Sequence, residues 1–580
     1  MRLTLPSIPA RLALLVLATG VVYASGLSAP FVHDDLPTIV DNPVTTDVGL
    51  LADPDRLDRV IGIPDLRNSI KARTFVYLTF ALNHSLLGPG PDAFRIVNIA
   101  IHAVNACLVY LLAAQLLALA RRRGSSSAAV EPPGARAGWL ALAAALLFAV
   151  HPINASAVTY VTQRFTSLAT LLYLLAIVAY LRGRAAPSVR GAAPYLVASL
   201  LATALAMDTK EIAFTLPVTL TLVEATFLAG PWRRRALRLA PFYATMLIIP
   251  VTLWSSVAAD VGVAQHAIQV TDLMNLDHLP RASYLLTQFP VLVTYLRLLL
   301  VPVGLNFDHD FPVFHSLLDP PVVASCCALA MLLALGVQLL AWAGRGGSPF
   351  HANHRIGAFG ILFFFLTISM SSSVIPINDV INEYRVYLPS VGLYLLLVSG
   401  ADTALRRAFP PPEGPGVRGG IALTAAVALC LLAGATIARN HTWRSGLTFW
   451  EDAGRKSPGK LRVARQLATE YLTGGMPGAA VDTLQTLIRL NPDLGRPHFF
   501  LGEVYLVTGR IDDAIAEFKR AMAVRSDVAE IHLGLARAYL AQGRRALAAD
   551  ALDAVERLEP GSADLAPLRA RLASEPGGAP

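Results

Sequence analysis

Apolar stretches of about 17–25 residues recur along most of this chain, and each is long enough to cross a bilayer as a helix. They centre on residues 12–28, 96–120, 138–150, 167–181, 193–207, 212–229, 240–258, 321–343, 356–375, 386–404 and 420–438. Within hydrocarbon every backbone hydrogen bond must close inside the protein, so spans of this kind fold as helices. Composition agrees, with 54% hydrophobic residues, 15% charged residues and a mean hydropathy of +0.53; soluble chains carry roughly 25% charge. The expectation is an all-α, polytopic membrane helical bundle of about eleven spans.

The net charge of +8 is not spread evenly. From His441 onward 18 Lys and Arg oppose 17 Asp and Glu, which leaves +7 in the apolar part. That excess sits in short loops: Arg121 to Arg123, Arg182 to Arg190, Arg233 to Arg235, Arg345 to Arg355 and Arg406 to Arg418. Loop cations set membrane orientation, so this charge does not indicate a nucleic-acid partner. Keeping all five loops in the cytoplasm puts the N-terminus there and the C-terminus outside. One segment, Tyr284 to Pro302, breaks the count; interrupted by Arg281, Gln288 and Arg297, it reads as interfacial or re-entrant. The cysteines (Cys107, Cys326, Cys327 and Cys430) lie in apolar spans, without disulfide or metal spacing.

The same topology gathers polar loops on the external side. The first, from about Ala29 to Phe94, carries His33, Asp34 and Asp35. A carboxylate at the bilayer edge can accept the proton of a hydroxyl attacking an anomeric carbon, although Asp35 could equally cap a helix. Arg164, Lys210 and Arg385 are external cations suited to a lipid phosphate, or to snorkelling at the interface. His151, Glu211, Asp308, Asp310 and Glu383 complete the set. Asp308-His309-Asp310, with the first-loop acids, also suits a divalent cation, but its spacing is unspecific. Ionisable groups at membrane depth are costly and point to function.

Past Leu461 the pattern changes to a 34-residue period. Tyr471, Tyr505 and Tyr539 fall in register, as do Gly475, Gly509 and Gly543, and Ala480, Ala514 and Ala548. Pro492 and Pro560 match, with Ser526 between them. This is the tetratricopeptide pattern. It divides the chain into a membrane domain over 1–440 and an α-solenoid over 441–580. The solenoid comprises a half repeat at 441–460, repeats at 461–494, 495–528 and 529–562, and a capping helix at 563–574. Such a solenoid presents a peptide-binding groove, or serves as a spacer or self-association module.

Together these residues resemble the transmembrane and tetratricopeptide-repeat O-mannosyltransferases and their bacterial relatives, of the GT-C glycosyltransferase class. The likeness rests on Phe31 to Asp35 with Asn42-Pro43, His102 to Asn105, Phe148 to Pro152, and Gln163 to Phe165. It continues through Lys210-Glu211, Asp308 to Phe311, Glu383 to Ser390 and the repeat tail. The resemblance implies transfer of a sugar, typically mannose, from a polyprenyl-phosphate donor to Ser/Thr hydroxyls, with Asp34 or Asp35 as the acid of the first loop. No resident cofactor is expected. The partners would be the donor lipid, the membrane and an acceptor polypeptide held by the repeats. The composition suggests a bacterial inner membrane with the repeats in the periplasm. The alternatives are the same chemistry on a surface glycan or lipid, and a non-enzymatic scaffold.

Overall fold

The computed structural model describes residues 7–123, 135–252, 279–345, 350–373, 376–377, 379–410 and 415–574. Among the described residues every regular element is a helix. The chain divides into two units: Met1–Leu305 with Pro312–Arg444, and Asn306–Phe311 with Ser445–Pro580.

In the first unit, seven helices are long and apolar enough to cross a membrane, or eight if the bent pair Arg136–Val150 and Pro152–Val158 is one span. That count of the described residues is lower than the eleven expected, because hydropathy alone does not make a helix continuous. Leu216–Phe227 has 12 residues, about 18 Å of helix. His351–Ile368 opens on a polar turn, and Pro389–Ala408 carries Asp402, Arg406 and Arg407. Residues 253–258 of another expected span lie outside the described residues. The segment read as re-entrant is instead one helix, Arg281–Leu300, and it belongs among the seven. Its 20 residues rise about 30 Å, a full hydrocarbon thickness.

The basic loops do converge. Helix Leu216–Phe227 ends on carbonyls that its own backbone leaves without donors. Arg123 donates to Ala225, Thr226 and Leu228 at 3.0–3.2 Å, Arg355 to Thr226 at 2.7 Å, and Arg235 to Glu224 and Leu228 at 3.1 and 2.8 Å. The Glu224 carboxylate takes Tyr180 at 2.6 Å and Arg184 at 2.7 Å. Cations at a helix C-terminus are favourable, and here three loops supply them. The opposite end of this short helix leads back to Lys210 and Glu211.

Two helices of this bundle touch through glycines. A methyl group on Gly360 would stand 2.3 Å from the Gly392 carbonyl, and one on Gly392 would stand 2.4 Å from that of Gly360. Such backbone contact is a common way of packing helices in lipid.

The second unit is a stack of helix pairs: Leu461–Thr473 with Pro477–Leu490, Gly495–Val507 with Ile511–Val524, and Ala529–Ala541 with Arg545–Leu558. Gly446–Lys456 precedes them and Leu565–Ser574 follows. The repeating glycines have a geometric reason. Gly475, Gly509 and Gly543 adopt φ of 71°, 78° and 76°. The next residue then donates to the carbonyl of Tyr471, Tyr505 or Tyr539 at 2.8–2.9 Å, the Schellman closure of a helix.

Replacing Gly360 by Leu should force these two helices apart, costing about 1–3 kcal/mol or more. A lowered thermal midpoint of the detergent-solubilised protein would show it, whereas Gly434→Leu, where a Cβ meets nothing within 4 Å, should change little.

Candidate active site

The first-loop aspartates lie in different surroundings. Asp35 is fully buried. Its Oδ1 accepts from the Thr162 backbone N–H at 2.8 Å and the Thr162 hydroxyl at 2.5 Å, while its Oδ2 accepts from the Val32 N–H at 3.2 Å. Burial pushes the carboxyl up to about 6, against the pull of Thr162, Val32 and Arg95. His33 makes the turn with φ of 50°, unusual for a residue bearing a side chain. Asp34 is different: its side chain is 53% exposed and lies 3.5 Å from His33 Nε2. Its backbone N–H donates to the Tyr160 hydroxyl at 3.1 Å.

A buried guanidinium fixes this loop. Arg95 donates to the carbonyls of Ala29, Pro30 at 2.6 Å and Thr159 at 3.0 Å. The start of the first loop and the Thr159–Thr162 turn are therefore held by one planar fork. Asp35 and Thr162 complete the junction, 127 residues apart in sequence.

Beside it lies a group of cations. Lys210 donates to the Thr166 hydroxyl at 2.7 Å and sits 4.8 Å over the Tyr384 ring. Burial, with help from Arg73 and Arg385, lowers its ammonium to about 7, and Glu211 opposes that shift. Arg73 pairs with Glu211 and lies 5.2 Å over the Phe165 ring. Arg385 donates to the carbonyls of Asp379 at 2.6 Å and Val380 at 3.2 Å. Burial works to raise the Glu211 carboxyl, yet Arg73 and Lys210 hold it below its ordinary range. Asp208 accepts from the Phe75 N–H at 2.8 Å, tying this turn to the first loop. Burial raises the Tyr77 hydroxyl, with Ser69 and Arg73 opposing that shift and Asp34 adding to it.

The predicted site residues divide accordingly. His33, Asp34 and Asp35 share one turn of the first loop, Lys210, Glu211 and Arg385 form a second group with Arg73, and Glu383 is buried two residues from Arg385. Arg164 does not join them as a free cation. It is fully buried, donating to Asn98 at 2.8 Å, Asn83 at 2.6 Å, Phe94 at 3.0 Å and Thr79 at 3.1 Å, with the Phe80 ring 4.7 Å away. A fork so occupied has little left for a phosphate. His151 is likewise buried; its Nδ1 accepts from Ile153 N–H at 3.3 Å and its Nε2 meets the Leu299 carbonyl at 3.1 Å. Asp308 and Asp310 belong to the other unit. There Asp308 pairs with Lys460 and with Arg462 at 2.5 Å, and the Asp310 N–H donates to Ser457 at 2.9 Å. Among the described residues no three His, Cys, Asp or Glu side chains group as a metal site would.

Comparison with known proteins gives this geometry a family context. Residues 465–527 and 505–572 match tetratricopeptide-repeat models. The human protein O-mannosyl-transferase TMTC1 is 26% identical over 524 residues, covering 83% of this chain and 55% of that protein. Mouse protein O-mannosyl-transferase TMTC3 is 23% identical over 544 residues, 89% of this chain and 55% of its own. The Drosophila melanogaster protein O-mannosyl-transferase Tmtc2 is 28% identical over 334 residues, 54% of this chain and 32% of its own. The chain resembles the protein O-mannosyl-transferases. It is a multi-pass membrane protein with a repeat tail, and it spans about half the length of the curated relatives it matches.

Sequence reasoning missed Arg73, Arg95, Tyr77, Tyr160, Thr162 and Tyr384. Arg73 had a usable signal: it heads the apolar run Thr74 to Leu82 inside the long first loop. Thr162 and Tyr160 had none, because a hydroxyl reveals its acceptor only after folding.

The contrast between Arg164 and Lys210 can be tested. Arg164→Lys removes a fork serving four acceptors and should destabilise the fold by about 3 kcal/mol or more. Lys210→Met should leave the thermal midpoint within a few degrees. Equal melting of the two variants would show that Arg164 is not structural.

Proposed function

We propose that this protein is a glycosyltransferase that moves a sugar from a polyprenyl-phosphate donor to a Ser or Thr hydroxyl of an exported protein. The observation that carries the reading is the unequal aspartate pair, one acid locked and its neighbour open, in a loop whose Arg73 pairs with Glu211 of the cation group.

In the proposed reaction the acceptor oxygen attacks the anomeric carbon as the carbon–oxygen bond to the lipid phosphate breaks. Asp34 takes the hydroxyl proton, and the configuration inverts. Asp35 acts as a positioning residue, because both its oxygens are occupied and it anchors the turn that presents Asp34. Arg73, Lys210 and Arg385 stabilise the charge left on the departing phosphate. A phosphate needs little acid assistance to leave, so a single base suffices.

The reading puts the site on the extracytoplasmic face of a bacterial inner membrane, with the repeats on that side as well. Its support is the arginine-rich end of the bundle, which carries Arg123, Arg235 and Arg355 while Lys210 and Glu211 lie at the other end of Leu216–Phe227. A second reading is the same transfer to a surface glycan or lipid. Labelled glycan without labelled protein would select it. A non-enzymatic scaffold would have no use for a buried carboxylate and three gathered cations.

Membranes supplied with radiolabelled polyprenyl-phosphate mannose should transfer label to protein. Asp34→Asn should cut the rate by about 10²-fold or more, and Asp35→Asn by a smaller factor, with some loss of thermal stability. Undiminished transfer by Asp34→Asn would sink the base assignment.

Lys210 adds a pH dependence. With its folded pKa at about 7 and an unfolded value of about 10.4, the unfolded chain binds the extra proton in that window. Folding stability therefore rises with pH between them, while the cation needed for the donor is lost as pH climbs through about 7. The KM for the lipid donor should rise from about pH 6 to pH 8, and Lys210→Arg, which stays charged, should flatten the curve.

A further inference from the structure

Pro320–Gly344 and Pro389–Ala408 flank His351–Ile368, and a cleft of about 190 Å³ opens between the three helices. His351–Ile368 forms its floor: a methyl group on Gly357 would stand 3.3 Å from Leu339 on one wall and 3.3 Å from Leu396 on the other. Leu396, Gly400, Thr403 and Arg407 follow at helical spacing along the second wall. The cleft lies at the arginine-rich end of the bundle, since Arg355, beside His354, donates to Thr226 at 2.7 Å and Ala343 at 3.0 Å.

Two kinds of polar group are left unsatisfied there. His354 lines the cleft and is 8% exposed, yet among the described residues nothing hydrogen-bonds its Nδ1. A buried polar nitrogen in that state is costly. Arg407 also lines the cleft, and the Arg406 and Arg407 guanidinia both stand 5.2 Å from the centre of the Phe350 ring. Asp402, one turn before them, is already taken by Arg136 at 2.6 Å and Asn353 at 2.7 Å. Among the described residues no acid lies within 4 Å of either guanidinium. Two cations on one ring, with an imidazole nitrogen to spare, suit an anion whose oxygens accept several hydrogen bonds.

We propose that this cleft binds the phosphate headgroup of an anionic phospholipid, with Arg406 and Arg407 meeting the phosphate and His354 donating to one of its oxygens. Size and surroundings favour a lipid over a free phosphate. Pockets that enclose a whole small molecule run to about 300–1,000 Å³, so this smaller cleft takes a headgroup and leaves the chains outside. The first wall gives those chains an apolar surface, because Met331, Leu335 and Leu340 are exposed along Pro320–Gly344. Basic pockets between membrane helices are a recurrent way of holding such headgroups. The inference does not rest on the transfer reaction proposed above, and can fail or hold separately from it.

The test uses the full-length protein in detergent, with bound lipid counted by native mass spectrometry. Dioleoylphosphatidylglycerol should bind at least about tenfold more tightly than dioleoylphosphatidylcholine, the equivalent of about 1.4 kcal/mol. The double variant Arg406→Ala/Arg407→Ala should lose that preference, and Arg406→Lys/Arg407→Lys should keep most of it, which separates lost charge from lost folding. Gly400→Leu, at a lining position where a Cβ meets nothing within 4 Å, should fill the cleft and lose the preference too. Arg233→Ala/Arg234→Ala, which removes two exposed arginines outside the cleft, should keep it. Equal binding of the two lipids by the unmodified protein would overturn the proposal. So would an undiminished preference in the Arg406→Ala/Arg407→Ala variant, or displacement of the lipid by an equal concentration of glycerol 3-phosphate, which would make this a site for free phosphates.

Discussion

Much of the first unit hangs on the contact between Asp35 and Thr162. Burying a carboxylate away from water is costly unless hydrogen bonds replace the lost hydration. Here three donors do so, two of them from one residue of a distant turn. Arg95 completes the arrangement from a third segment by holding carbonyls on both sides of the junction. Losing any one partner would leave a buried polar group unsatisfied, so the first loop has one well-defined way to sit against the bundle. Asp34, the next residue back, inherits its position from that constraint.

The same reasoning distinguishes the cations. Arg164 and Arg385 are both buried arginines, yet Arg164 distributes its donors over four acceptors, whereas Arg385 donates to the carbonyls of Asp379 and Val380. Arg73 and Lys210 share a single carboxylate, Glu211. The surroundings of this group lower the Lys210 ammonium to about 7, burial acting with Arg73 and Arg385 against Glu211. In the proposed reaction a donor phosphate would meet these cations.

The solenoid is built by repetition. Tyrosine and glycine columns close each first helix in the same way. The segment Asn306–Phe311, read from sequence as part of the membrane site, folds with this unit instead. Phe307 stacks on Phe449 at 4.6 Å and on Trp450 at 5.8 Å, and Asn306 donates to Ser457 at 2.8 Å. Its two acids stand close enough in sequence to suggest a ligand set, but the Asp308 carboxylate is taken by Lys460 and Arg462.

The sequence by itself determined what depends on local period and composition. Apolar runs required helices in a bilayer, and the 34-residue spacing fixed the repeat pairs and the glycine turns, because each follows from backbone geometry within a few residues. The Asp pair, Lys210, Glu211 and Arg385 were also legible, as ionisable groups beside apolar spans. Only the tertiary structure decided which aspartate is open, that Arg164 and His151 are spent on neighbouring polar groups, that Arg73 joins the cations, and that Asp308 belongs to the solenoid. Those outcomes depend on which distant donor or acceptor a side chain meets, and residues as far apart as Asp308 and Arg462, 154 positions, carry no mark in the sequence of having been brought together.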